Sequence, residues 1–460
     1  MKILVLNGSP AGDNSITLQT VEYWKVLFPE HSWEMLPVGQ KIKSFEHDFS
    51  GAKAALKAAD LIVFCYPVYT FLVPAQLHRF IELIKEKGVD LRGKYATQIT
   101  TSKHFYDITA HRFIEDICGD LSLKTLHGLS ADMEDILTEQ GQREARDFFQ
   151  FICWNVENGF CENAGRGTDN TPHQSVIASE GSPAEKTAGY RIALVTDYDP
   201  AAPDPSLLAM IRRFENRLPA ACEEVNLHDF PFAGGCLGCF HCASDGMCIY
   251  KDGFDSFLRE HINGADAVVY AYTVKDHSMG SRFKTYDDRQ FCNGHRTVTM
   301  GKPVGYLVSG DLAAEENLRT LMEARAQVGG NFLAGIANDA ADPDREIDQL
   351  IRTLDYALTH DYQEPKNFYG VGGLKIFRDL IYQMQGLMRE DHRFYKKHGF
   401  YDFPQKKKGR IAGMYLVGGL MKNQKLQKKM KFSMTDGMMM AYRKVIEKAK
   451  KDAAARQSNE

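Results

Sequence analysis

The chain has 460 residues, 44% hydrophobic and 25% charged, with a formal net charge of −4; this fits a soluble globular protein of two or three domains. No apolar run approaches the roughly 18–20 residues that a spanning helix needs, and the apolar start MKILVLNGSP is too short for a secretory signal and reads as a first buried strand. Clustered cysteines in the cytoplasmic protein expected on these grounds favour metal over disulfides.

Charge is unevenly placed. From Asp361 onward there are 22 Lys and Arg against 10 Asp and Glu, so a basic tail follows an acidic body.

KILVLN predicts a buried strand, followed by a polar loop and a helix from about Ile16 to Phe28. DLIVFCYPV predicts another strand, with the helical VPAQLHRFIELIKE after it; YATQITT and TAHRFIEDICGDL repeat that alternation. Strands separated by helices imply right-handed crossovers and a parallel sheet covered on both faces. Residues 159–187, rich in Gly, Ser, Thr, Pro and Asn, read as a linker. The pattern then restarts, since RIALVTDY resembles KILVLNGS, DAVVYAYTV resembles DLIVFCYPV and KPVGYLVSG resembles KYATQITTS. Two related α/β domains are therefore expected at 1–158 and 188–360, with a basic, helical C-terminal region at 361–460. In that region LKIFRDLIYQMQGLMREDHRFYKKHGFYDFP has the spacing of an amphipathic helix. Its basic faces suit solvent, with peripheral contact to an anionic membrane or an acidic redox partner as the alternative.

The loop LNGSPAGDNSIT opens the first helix, where backbone N–H groups and the helix dipole suit an anion. Ser9, Asn14, Ser15 and Thr17 offer hydroxyl and amide hydrogens, and with no lysine present a Walker-type triphosphate site is not expected. The Rossmann glycine spacing is absent as well. In the second half the matching stretch DPAAPDPSLLAMI carries Asp197, Asp199 and Asp204, which would repel a phosphate.

GGCLGCFHCASDGMC places Cys236, Cys239, Cys242 and Cys248 at C-x2-C-x2-C-x5-C spacing. Four thiolates so close together can converge on a 4Fe–4S cluster or on zinc; a packing loop without metal is the third reading.

GSPxxxNSxT after a first strand and PVYTFLVPAQLHRFI after a third resemble the NADPH-dependent FMN reductase family, whose iron–sulfur flavoproteins carry a comparable four-cysteine loop. The second motif differs from the family's at His78, where lysine is usual. The resemblance covers about three quarters of the chain and implies two tandem flavodoxin-like domains. It implies that Ser9, Pro10, Asn14, Ser15 and Thr17 take the FMN phosphate. Pro67, Val68, Tyr69, Thr70 and Phe71 would line the ring, with Thr101, Ser102 and Lys103 in a later flanking loop. Cys236, Cys239, Cys242 and Cys248 would hold the cluster, facing the FMN of the first half. Tyr69, His104 and Tyr106 are expected nearest the flavin face, and His241 beside the cluster sulfurs. The implied activity is a flavin-dependent oxidoreductase moving electrons between FMN and a 4Fe–4S cluster, to or from NAD(P)H, a small acceptor or a redox protein. The alternatives are an NAD(P)H-dependent FMN, quinone or nitro reductase without a cluster, and a non-enzymatic electron carrier. A homodimer is among the implied assemblies, and no nucleic-acid partner is expected.

Overall fold

A computed structural model describes residues 1–162, 173–239, 241–242 and 246–421. It divides into two compact units, Met1–His398 and Gly399–Glu460.

The first unit contains two parallel sheets. In the first, β1 (Lys2–Asn7), β2 (Ser32–Leu36), β3 (Leu61–Pro67), β4 (Tyr95–Ser102) and β5 (Lys124–Thr125) lie in the order β2-β1-β3-β4-β5, and β6 (Leu129–Asp132) also pairs with β4. Around it lie α1 (Ile16–Leu27), α2 (Val38–His47), α3 (Ser50–Ala58), α4 (Ala75–Glu86), α5 (Asp107–Asp120) and α6 (Glu139–Asn158). The second sheet contains β7 (Arg191–Thr196), β8 (Ala221–Asn226), β9 (Ala267–Thr273), β10 (Pro303–Ser309) and β11 (Phe332–Asn338). Its order, β8-β7-β9-β10-β11, repeats the 2-1-3-4-5 order of the first. Its helices are α7 (Pro205–Arg217), the short α8 (Phe254–Phe257), α9 (Gly280–Arg289), α10 (Glu316–Gly329) and α11 (Pro343–Thr359). The chain therefore carries two flavodoxin-like, doubly wound α/β sheets, as the alternation of patterns predicts.

The central strands β1, β3, β7 and β9 are apolar without alternation because helices cover both faces; Ile3, Leu4, Val5 and Leu6 are all buried. One apolar cluster continues from half to half, joining Tyr66, Leu77 and Phe80 with Tyr272, Phe283 and Tyr286. Helix α4 packs on α9, so the segment following the third strand of each half meets its counterpart.

The amphipathic stretch after Leu374 is two helices, α12 (Phe368–Gln383) and α13 (Arg389–Lys397). The break around Gly386 turns α13 so that Asp391 reaches His295 at 3.1 Å and Arg296 at 3.3 Å, while Tyr395 donates to the His295 carbonyl. The second unit begins with a short turn at Pro404–Lys406 and α14 (Lys408–Met421). The expected basic helices beyond residue 421 lie outside the described residues. No helix among the described residues is long and apolar enough to cross a membrane.

Candidate functional site

A cavity of about 460 Å³ opens at the carboxyl ends of the first sheet's strands and continues onto the second half. Ligands of doubly wound sheets bind at such strand ends, where the strand order reverses between β1 and β3.

The loop after β1 forms one wall. Ser9, Asn14, Ser15 and Thr17 line it; Pro10 does not. The loop is shaped from within: the Asn7 side chain accepts from Ser9 N and donates to Gly12 O, and Ser9 Oγ accepts from Ala11 N. Ser15 caps α1 by accepting from Leu18 N at 3.4 Å, and the start of the helix at Ser15, Ile16 and Thr17 lines the cavity. Thr17 Oγ1 meets Thr101 Oγ1 at 2.5 Å, tying the loop to the end of β4. From behind, α2 presses Gly39 onto the Ser9 backbone, where a Cβ would collide.

Pro67, Val68, Tyr69, Thr70 and Phe71 form a second wall, and Thr101, Ser102 and Lys103 a third. Lys103 pairs with Asp132 at 2.7 Å. The two other expected flavin-face groups are displaced. His104 contacts Asp107 and Ser130, and Tyr106 donates to the Tyr369 carbonyl and packs on Phe71, outside the cavity lining. Phe105 lines the cavity instead, backed by Phe377 of α12 at 4.1 Å between ring centroids.

The second half closes the cavity with Cys236, Cys239, Cys242 and Cys248. Their loop lies against the first half, because Gln76 Nε2 donates to Cys236 O at 3.2 Å. Gly238 is left-handed, with φ +61°, and a Cβ on it would collide with Tyr69 Oη. Arg289 anchors the loop through Asp252, at 2.8 Å on both carboxylate oxygens, and through Gly234 O. Cys242 Sγ donates to Phe291 O at 2.9 Å, and the Phe291 ring stands edge-on to Tyr69. Burial raises the Cys236 and Cys242 thiols, each to about 12, with the neighbouring cysteines adding to the shift. No three of the four sulfurs lie within 4.8 Å of one another.

These residues fit the groups that the motifs imply. Ser102 Oγ, Gln290 Nε2 and Thr297 Oγ1 line the cavity as buried polar atoms without a protein partner, as expected of a site built for a polar ligand. The four thiols are soft donors on a loop whose glycine permits close approach.

The segment Gln290–Thr299 carries no motif, so sequence reasoning missed it, yet it is the longest continuous stretch of the second-half wall. The matching loop after β7 is filled by the chain itself. Asp204 caps α7 and accepts from Thr273 Oγ1 at 2.7 Å and Ser309 Oγ at 2.8 Å, while Asp339 accepts from Ser206 and Ser309.

Gly238→Ala is expected to cost about 2 kcal/mol through left-handed strain and to shift the Tyr69 ring. Denaturant unfolding and near-ultraviolet circular dichroism check both parts; an unchanged aromatic signal would show that the loop does not seat on Tyr69.

Residues 1–117 match a protein family described by its flavodoxin-like fold. Over 174 residues the chain is 28% identical to an iron–sulfur flavoprotein of Archaeoglobus fulgidus, an alignment spanning 36% of this chain and 79% of that protein. Solved structures similar to parts of the chain include an FMN-dependent NADH-azoreductase of Bacillus anthracis in complex with FMN, 12% identical with a TM-score of 0.28, covering 33% of this chain and 98% of that one. An NAD(P)H:quinone oxidoreductase of Methanothermobacter marburgensis is 12% identical, with a TM-score of 0.28, covering 34% and 96%.

Proposed function

We propose that this chain, whose residues 1–117 belong to the flavodoxin-like fold family, is an FMN-dependent oxidoreductase that exchanges electrons between FMN and a 4Fe–4S cluster. The observation that carries this reading is that the loop after β1, the Pro67–Phe71 turn and all four clustered cysteines line one cavity.

In this reading Ser9, Asn14, Ser15 and Thr17 hold the phosphate at the start of α1, where the N–H groups and helix dipole favour an anion. Pro67–Phe71 and Thr101–Lys103 flank the ring. Bound FMN supplies the hydride and electron chemistry, and the protein supplies position and tuning. Phe105 and Phe377 give one side of the cavity an aromatic wall. Tyr69 lies between ring site and cysteine loop, and burial raises its phenol well above the usual range. The iron–sulfur flavoprotein relative supports the cluster. NAD(P)H as donor, and a small molecule or redox protein as acceptor, complete the proposal.

The test is anaerobic purification followed by a visible spectrum with iron and sulfide assays on the same sample. Flavin bands with about four iron and four sulfide per chain are expected, and Cys242→Ser should lower the iron while leaving flavin bound. Flavin without iron would instead favour an NAD(P)H-dependent reductase lacking a cluster.

A further inference from the structure

Each half carries the same strained turn after its third strand. Thr70 and Phe71 have φ of 41° and 70°, and Asp276 and His277 have φ of 50° and 57°. Tyr69 and Leu72 exchange backbone hydrogen bonds of 2.8 and 3.0 Å around the first turn, and Lys275 and Ser278 bonds of the same lengths around the second. Left-handed backbone suits glycine and penalises a β-branched threonine, so the first turn needs holding.

The other half holds it. Asp288 of α9 accepts from Thr70 Oγ1 at 2.6 Å and from Ala75 N at 2.8 Å. Lys284, one helical turn earlier, donates to Tyr69 O at 2.8 Å and Thr70 Oγ1 at 3.0 Å. The two side chains pair with each other and are fully buried.

A counterpart exists across the pseudo-twofold relation between halves. Glu82 stands as far beyond Thr70 as Asp288 stands beyond Asp276. It accepts from Ser281 N and Oγ, both at 2.8 Å, at the start of α9. His78 occupies the position of Lys284, and both its ring nitrogens lack a partner. The second turn is held from the first half too, by Lys85 on Asp276 at 2.7 Å and by Asp120 on His277 at 3.1 Å, but these pairs are partly exposed, whereas the pair on the cavity-lining turn is fully buried and reaches its backbone.

We propose that Lys284 and Asp288 are positioning residues for the ring-facing turn of the FMN site, so that the second half sets, from outside the first domain, how tightly flavin is held. This rests on the FMN reading above. The pair touches the turn's backbone and the Thr70 hydroxyl, fixing the conformation in which Tyr69, Thr70 and Phe71 face the cavity.

The experiment is an FMN titration of the full chain by flavin fluorescence, with visible circular dichroism of the bound flavin and a thermal melt. Asp288→Asn should raise the FMN dissociation constant about tenfold and alter the flavin dichroism. Adding Thr70→Gly, which removes the left-handed strain at the first of the two residues, should restore part of the affinity. Glu82→Gln, which loosens the counterpart grip, should lower the melting temperature without changing FMN binding. Unchanged affinity and dichroism in Asp288→Asn, or equal loss of affinity in Glu82→Gln, would overturn the proposal. A wild-type chain that takes up no FMN would overturn the FMN reading first, and this one with it.

Discussion

Lys284→Met is expected to lower the unfolding free energy by about 3–5 kcal/mol, the range for removing one partner of a buried ion pair. Lys284 and Asp288 are both fully buried, and burial already pushes the Asp288 carboxyl above its ordinary range despite the ammonium beside it. Without that ammonium the carboxylate keeps only the Thr70 hydroxyl and the Ala75 N–H, so it must be buried charged against a low dielectric or take up a proton. Methionine matches the length of the lysine stem, so what is lost is the charge and the hydrogen bonds to Tyr69 O and Thr70 Oγ1. Adding Asp288→Asn should return more than half of the deficit, because the amide oxygen still accepts and no charge remains to be solvated. Urea unfolding of the wild type, both single variants and the double variant closes the cycle. A Lys284→Met deficit below about 1 kcal/mol, the range of exposed pairs, would mean that water reaches the pair.

The same pair shows where the sequence stops being readable. Within α9, Lys284 and Asp288 are four residues apart, the spacing of an ordinary surface ion pair; nothing local says that both are buried and gripping a turn more than 200 residues away. The strands were readable because a sheet covered on both faces demands unbroken apolar runs, and KILVLN and RIALVT both meet that demand. The loop after β1 was readable because its hydroxyls and amides stand at a helix start. Asp204 and Asp339 show why the second loop differs: its own carboxylates take the hydroxyl donors Thr273, Ser309 and Ser206. The Gln290–Thr299 wall was not readable. Its placement depends on Arg289 meeting Asp252 and on Asp391 of α13 meeting His295 and Arg296, contacts set by tertiary packing alone. His104 and Tyr106 were misplaced for a related reason. Both are left-handed, and the resulting bend turns Phe105 to the cavity and Tyr106 towards α12.

Acidification from pH 6.5 to pH 4 is expected to remove several kcal/mol of stability through two buried histidines. Burial holds His78 down to about 4 although Glu82 and Asp276 favour its charged form, with Lys284 and Lys275 opposing them. Burial likewise holds His111 to about 4, where it bonds Thr100 at 2.8 Å. Both are neutral in the folded chain across this window, whereas in the unfolded chain they titrate near 6.5. Above pH 6.5 neither state binds the proton and there is no penalty. Below it the unfolded state gains protons that the fold refuses, so stability falls as pH drops towards the folded value, by about 3 kcal/mol for each group. His277 acts in the opposite direction. Burial would lower it, but Asp120 and Glu315 outweigh burial and raise it to about 10. Its contribution is therefore complete below pH 6.5 and lost as pH climbs from 6.5 to 10. Urea midpoints measured from pH 4 to pH 10 should trace a dome with its top near neutrality. His78→Phe, which keeps a ring against Phe113, should remove about half of the acid-side slope and leave the alkaline side unchanged. An acid limb as steep in that variant as in the wild type would assign the loss to other groups and place His78 in contact with water.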